Sequence, residues 1–412
     1  MLLIGSDDLA AKTKRPYLYE VDLMRIIFIC GVLLNHTTST FKGRIDNAST
    51  SQVILEASHL MLHFTRMGFM FMTGLVLTLN YYNRKHEWLK FERKRFVSAG
   101  IPYLAWNFIV MFLSIEAGIG FSMANFKADY IDAVIHGDQF YMYYILIVLQ
   151  LYLVFPLIVL MFKKFDKYHS WIMGTSFVIQ MAILIFIKYL LPNIDRTNWW
   201  WWFRSYGVNV FTYQFYFLAG AFASIHYKVV TQFINAHIKP IAWLTGILSL
   251  GTVGLFFFDI DFLHLSMAAT MSVHQPYMLI YDVFMIAFVF WVGLRFAYWR
   301  QHGLWPWVDR WVHNVAKVSF GLYLVQTIPL AMLAFILAQI SLPAWAMLLC
   351  LPIGYAFVIA VAFGISWFCY KVPPFGILIG RNNLRLKKRV AQTQEKIATV
   401  VEEKSLTPDN RK

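Results

Sequence analysis

Apolar residues run along this chain in long blocks, separated by short turns rich in charge, Pro and Gly, from about residue 18 to about residue 370. A helix needs about 20 apolar residues to cross a bilayer, so blocks of about 18 or more read as spans. Ten are expected, near 18–38, 53–82, 96–117, 140–162, 170–191, 207–226, 240–258, 276–298, 316–338 and 345–370. The expected fold is an all-α, polytopic membrane bundle of about ten transmembrane helices over 18–370. A segment at 1–17 precedes it and a basic tail at 371–412 follows. No loop is long enough for a second domain. No internal repeat is visible, which weighs against transporters built from duplicated halves.

The first block carries polar residues in register. Asp22, Arg25 and His36 interrupt an otherwise apolar run that includes Ile26, Ile27, Phe28, Ile29, Val32, Leu33 and Leu34. Arg25 and His36 are about three helical turns apart, so they share one face within about 20°, with His36 about 16 Å further along. Asp22 sits one turn before Arg25. Such groups are costly inside a bilayer and are functional by default. A lone histidine on an apolar helix is most often a buried structural residue, but the register with Arg25 and Asp22 favours a role. Histidine exchanges a proton near neutral pH, as a general base for a hydroxyl must. Asp22 either locks Arg25 or leaves it free to bind an anionic or carbonyl-bearing donor. The second block adds His59, His63 and Arg66 at spacings of four and three, again on one face. No third ligand of matching pattern and no HExxH glutamate accompany the histidines, so no metal site is expected. They either line the same cavity as His36 or form a satisfied polar cluster.

Composition sharpens the class. The chain is 59% hydrophobic and 14% charged, against about 25% charged in soluble domains. The first fifteen residues include Asp7, Asp8, Lys12, Lys14 and Arg15, with no apolar core before a small-residue cleavage site. The first span is therefore expected to act as the targeting signal. Cys30, Cys350 and Cys369 lie within or beside apolar blocks and make no disulfide framework. The formal charge of +14 calls for no nucleic acid. With the N-terminus inside, about 28 of the 36 Lys and Arg fall on the cytoplasmic side, which predicts both termini in the cytoplasm. The stretch 84–95 is the densest basic patch between spans; it reads either as a positive-inside signal alone or as a grip for the phosphates of a nucleotide-bearing donor, for which Arg93 and Arg95 are best placed. Trp199–Trp202 read as an outer aromatic belt or as a stacking platform for a sugar ring. The tail from about 381 to 404 reads as an amphipathic helix along anionic lipid.

Taken in order, these pieces resemble the membrane-bound acyltransferase 3 family. The resemblance rests on Asp22-x-x-Arg25-x10-His36 and Phe69-Met-Phe-Met-Thr-Gly74, then on Lys94-Arg95-Phe96 with Ile101-Pro102-Tyr103. It continues through Tyr143-Tyr144 to Gln150-Leu-Tyr152 and Pro156, Phe215-Tyr-Phe217-Leu-Ala-Gly220, and Ser319-Phe-Gly321-Leu-Tyr323-Leu324. It implies ten helices, an acyl-CoA donor reached from the cytoplasm with no tightly bound cofactor, and a glycan or lipid-linked saccharide acceptor. It further implies that His36 is the catalytic histidine, Arg25 its motif partner, and Arg93 and Arg95 the basic group near the donor. Asp22, His63, Arg66 and Tyr323 would support them. Three positions depart from the family pattern: Ser98 in place of a second loop arginine, Thr73 in place of serine before glycine, and Gln326 where histidine is common after Tyr-Leu. These departures point to the polysaccharide-modifying or polysaccharide-export branch.

The expected activity is O-acylation, most readily acetylation, of a surface polysaccharide or its precursor at the cell membrane. His36 would deprotonate the hydroxyl or carry the acyl group, and Arg25 or Tyr323 would stabilise the oxyanion. Because Arg25 and His36 on one straight helix cannot both touch one carbonyl, Arg25 is better read as positioning the donor or pairing with Asp22. The rival is an exporter or flippase of a polysaccharide or lipid-linked sugar, with the same polar stripe lining its path.

Overall fold

The computed structural model describes residues 17–46, 49–84, 87–116 and 123–381. The expectations for 1–16 and for the tail helix beyond 381 lie outside the described residues. Among those residues every regular element is helical. Helix α1 spans Tyr19–Lys42. Helix α2 (Thr50–His59) continues through one tight turn into α3 (Phe64–Tyr81). Helix α4 (Trp88–Arg95) continues through a wide turn into α5 (Ile101–Glu116). Helix α6 (Phe126–His136) lies in the connection to α7 (Tyr143–Lys164), and α8 (His169–Ile185) follows. A single turn, α9 (Trp201–Arg204), precedes α10 (Gln214–Ile225), α11 (Tyr227–Ala236) and α12 (Ile238–Phe257). After the turn α13 (Met267–Thr270) come α14 (Pro276–Gln301), α15 (Pro306–Val325), α16 (Thr327–Ala338), α17 (Ala344–Leu349) and α18 (Leu351–Lys371).

Among the described residues, eight stretches are long and apolar enough to span a bilayer. The other two expected spans take different forms. The sixth is a shorter apolar stretch, Val210–Ile225, and the ninth is α15 and α16 bent by 60°. The bend has a local cause. Pro329 cannot donate a backbone hydrogen bond, and its ring crowds the carbonyl four residues earlier, at Val325, where α15 stops. The third span begins earlier than the sequence suggests, because α4 carries the basic stretch into the bundle. Buried Phe91 anchors it, packing on Tyr81, Tyr152 and Phe155.

Helix α1 runs through the middle of the bundle, packed on α3, α14, α15 and α18. Helices α3 and α10 form the closest pair. A Cβ on Gly74 would meet the Phe217 carbonyl oxygen, and one on Gly220 would meet that of Phe71. Glycine is required at both because the two backbones touch, a small-residue contact typical of helices in lipid. This contact turns Phe71 into the core and leaves Phe69 and Thr73, on the opposite side of α3, facing a cavity. The chain continues in order beyond α18. Residues 375–379 fold back against α18 and α5, with the Trp106 indole donating to the Leu378 carbonyl at 2.8 Å. Arg381 then donates to the Lys317 carbonyl at 2.8 Å.

Candidate active site

The end of the bundle where α1 begins also holds α4, and is called the basic end; α6 marks the far end. Acidic residues in the first turn of α1 suit its helix dipole. Glu20 accepts a hydrogen bond from the Tyr227 hydroxyl of α11. Asp22 is buried and accepts from the Tyr17 hydroxyl at 2.8 and 3.0 Å, with His313 Nδ1 at 3.4 Å. The Arg25 guanidinium reaches Asp22 only at 3.9 Å. The lock between them is therefore loose: Tyr17 and His313 engage the carboxylate, and Arg25 faces open space. Burial and this carboxylate together push the Tyr17 hydroxyl up to about 12, so it stays a hydrogen-bond donor.

Four cavities follow one another from the basic end to the far end, each sharing walls with the next. The first, about 830 Å³, is edged by Arg84, Lys90, Arg93, Lys94 and Arg381 beside Trp88. Ser98, Gly380 and Arg381 border it and the second, an inner chamber of about 290 Å³. Among the described residues, four cations face this inner chamber, Arg25, Arg95, Lys317 and Arg381, and no carboxylate does. The Arg95 guanidinium lies over the Tyr81, Phe91 and Tyr152 rings at 5.5–5.8 Å, which fixes its direction. Arg93 and Arg95, paired by the sequence reading, thus serve different cavities: Arg93 the outer one, Arg95 the inner one with Arg25.

Phe69, Tyr144 and Tyr323 separate the inner chamber from a waist of about 30 Å³, lined by Asn35, His36, His63, Arg66 and Tyr143 among others. That volume holds a water or two. The His36 ring stacks on Tyr141 with centroids 3.5 Å apart, and among the described residues no hydrogen bond ties its nitrogens. Tyr323 donates its hydroxyl proton to the Tyr141 carbonyl. Its part is to hold the segment whose ring backs His36. His59 is bound to the Thr38 hydroxyl at 2.9 Å and sits edge-on to His63. Among the described residues, the buried Nε2 of His63 has no partner. Arg66 lies over the Tyr143 ring at 4.8 Å.

His63, Arg66 and Tyr143 also border the fourth cavity, a far vestibule of about 810 Å³. Its wall mixes signs and rings: Asp132, His136, Asp138, Trp201, Arg204 and His274. Helix α6 ends at Gly137 in the left-handed conformation (φ 68°), which turns Asp138 back beside Asp132 and His136. His136 Nδ1 pairs with Asp132 at 2.8 Å and stands edge-on to Trp201. Ligand atoms of Asp132, His136 and Asp138 lie within 4.8 Å of one another on an exposed rim. Burial, and then the Arg66 charge, push His274 down to about 3, so its ring stays neutral. The tryptophan run divides its work. Trp200 is exposed, Trp201 lines the vestibule, and the Trp202 indole donates to Gln150 at 3.0 Å.

The sequence reading did not reach Asn35, Tyr141, Lys317 or Arg381. Asn35 was visible as the polar neighbour of His36. Arg381 was hidden among the basic residues of the tail, because only the return of the chain after α18 brings it to the chamber. A family model described as an acyltransferase domain matches residues 18–370. No curated protein and no solved structure matches the chain.

Proposed function

The chain belongs to the acyltransferase 3 family, and from that premise we propose that it is an integral cell-membrane O-acyltransferase moving an acyl group, acetyl by preference, from acyl-CoA to a hydroxyl of a surface polysaccharide or its lipid-linked precursor. One observation carries this reading: a purely cationic chamber and a mixed, aromatic vestibule approach from opposite ends and meet at His36. The excess of Lys and Arg favours a cytoplasmic basic end, where acyl-CoA is available. Arginine and lysine suit the phosphates of that donor, with Arg93 at the outer cavity and Arg25, Arg95, Lys317 and Arg381 further in. The thioester then reaches the waist, and the acceptor enters from the far vestibule, where Trp201 offers a face for a sugar ring.

His36 acts as general base toward the hydroxyl. Its ring is backed by Tyr141 and free of internal hydrogen bonds, so its nitrogens are left for substrate. Arg25, about 16 Å away along α1, orients the donor rather than touching the reacting carbonyl. An exporter would need to pass a whole sugar through the waist at His36, whereas acyl transfer needs only a hydroxyl and an acyl group to meet there. The test is His36→Ala in cells, with base-labile acetate on the surface glycan measured by mass spectrometry and membrane protein level held equal. Loss of a general base costs roughly 100- to 10,000-fold. Unchanged acetate in that variant, or loss of polymer without loss of ester, would turn the reading to transport.

A further inference from the structure

We infer that Asn35 is a further catalytic residue, donating through its side-chain amide to the oxyanion that forms as the acyl group passes His36. The inference rests on the proposed acyl transfer. That reaction puts negative charge on the former carbonyl oxygen, and a preorganised donor aimed at it is worth about 100- to 1,000-fold in rate. Neither donor expected from the sequence is available. Arg25 faces the inner chamber and not the waist, and the Tyr323 O–H is committed to the Tyr141 carbonyl. Arg66 sits on the Tyr143 ring and opens equally to the far vestibule, on the acceptor's side.

Asn35 lines the same waist as His36. It is 8% exposed, yet among the described residues its Nδ2 has no hydrogen-bond partner. Buried amides are nearly always paired, and an unpaired one is costly, so this group awaits a partner that the fold does not supply. Its backbone carbonyl is separately engaged by the hydroxyls of Thr38 at 2.7 Å and Ser39 at 3.1 Å. A half turn about its last bond exchanges the two ends of the amide, so the end that lines the waist can carry the NH₂. Adjacency to His36 on one helix fixes their separation at about 100° of rotation and 1.5 Å of rise.

In the step, the acceptor oxygen bonds to the thioester carbonyl carbon as one His36 nitrogen takes the hydroxyl proton. The carbonyl π pair moves onto oxygen, facing the Asn35 N–H. When that pair returns, the carbon–sulfur bond breaks, and the leaving thiolate takes the proton from the imidazolium. An ester and a free thiol result.

The experiment uses the full chain in lipid nanodiscs and [1-13C]acetyl-CoA as probe, comparing wild type, Asn35→Asp and Asn35→Ala. Membranes bearing the same variants are assayed for acetate transfer to surface glycan. Both variants are expected to lose about 100- to 1,000-fold in transfer rate while binding acetyl-CoA within about threefold of wild type. The labelled carbonyl band, lowered in frequency on wild type, is expected to return toward its position in solution. A transfer rate in Asn35→Ala within about threefold of wild type overturns the inference, as does an unmoved band in variants that bind the probe. The underlying reading fails separately: acetyl-CoA would then not bind wild type, or His36→Ala would transfer normally.

Discussion

The chamber around Arg25 and the vestibule around Trp201 flank the same histidine but are built on different chemistry. Among the described residues, every charged group on the wall of the first is a cation, gathered from α1, α4, α15 and the segment after α18. The wall of the second balances Asp132 and Asp138 against Arg66 and Arg204 and adds aromatic faces. Uniform positive charge at short range selects a polyanion and repels cations. A balanced wall with rings and hydrogen-bonding groups suits a neutral polyol, whose hydroxyls need both donors and acceptors. On the proposed reading, the two substrates of the transferase approach from opposite ends and meet at the narrow waist between them. A tight junction lets the two reactants touch while keeping bulk water from the thioester.

The largest effect that would sharpen this contrast comes from reversing one inner charge. Arg95→Glu places a carboxylate among Arg25, Lys317 and Arg381, where donor phosphates are expected. Hydrogen bonds to charged groups contribute about 1.5–3 kcal/mol, so KM for acetyl-CoA should rise roughly 10- to 100-fold with the acceptor's KM unmoved. If acceptor affinity falls instead, the chambers have been assigned the wrong way round. At the vestibule, Trp201→Ala should do the opposite. Aromatic contacts of this kind contribute about 0.5–1.5 kcal/mol, so the acceptor's KM should rise about two- to tenfold at constant donor KM. The same variant at exposed Trp200 should change neither, which separates a sugar platform from an interfacial belt. Equal effects at both positions would leave the belt as the better account.

Sequence reasoning reached the two chambers unequally, and the reason is physical. The inner polar stripe was legible because Asp22, Arg25 and His36 lie on one helix, where periodicity alone fixes their relation. His63 and Arg66 lie on a different helix, so periodicity left open whether they line the cavity of His36 or form a satisfied cluster, and the waist brings all three together. The far vestibule is assembled from α6, α9 and the loop before α14, which meet only in three dimensions. Nothing local in Asp132, His136 or His274 announces that neighbourhood. Spans were legible wherever apolar length decided them. The bend between α15 and α16 was not, although Pro329 stood in the block, because a proline in a membrane helix bends or merely kinks it according to what packs around it. The early start of the third span was missed because charge density argued for a loop, while Phe91 buries enough aromatic contact to carry Arg93 and Arg95 on a helix.

The finest distinction lies at the entrance to the cationic chamber, where Tyr17, His313 and Arg25 gather around one carboxylate. Asp22 is held by the Tyr17 hydroxyl through both oxygens, and Arg25 stands back at 3.9 Å. If Tyr17 keeps Arg25 available, Tyr17→Phe should let the carboxylate and guanidinium close on each other, drawing Arg25 from the donor. The loss is one hydrogen bond to a charged acceptor, tempered by partial exposure of Tyr17, so KM for acetyl-CoA should rise only about two- to fivefold, the equivalent of about 0.5–1 kcal/mol. The turnover number should hold, because Arg25 lies far from the reacting carbonyl. Adding Asp22→Asn to Tyr17→Phe should restore the donor's KM, since the neutral amide no longer attracts the guanidinium. A Tyr17→Phe variant that instead lowers turnover at unchanged KM would show that the α1 entrance acts on the waist, and the separation between donor binding at Arg25 and chemistry at His36 would have to be abandoned.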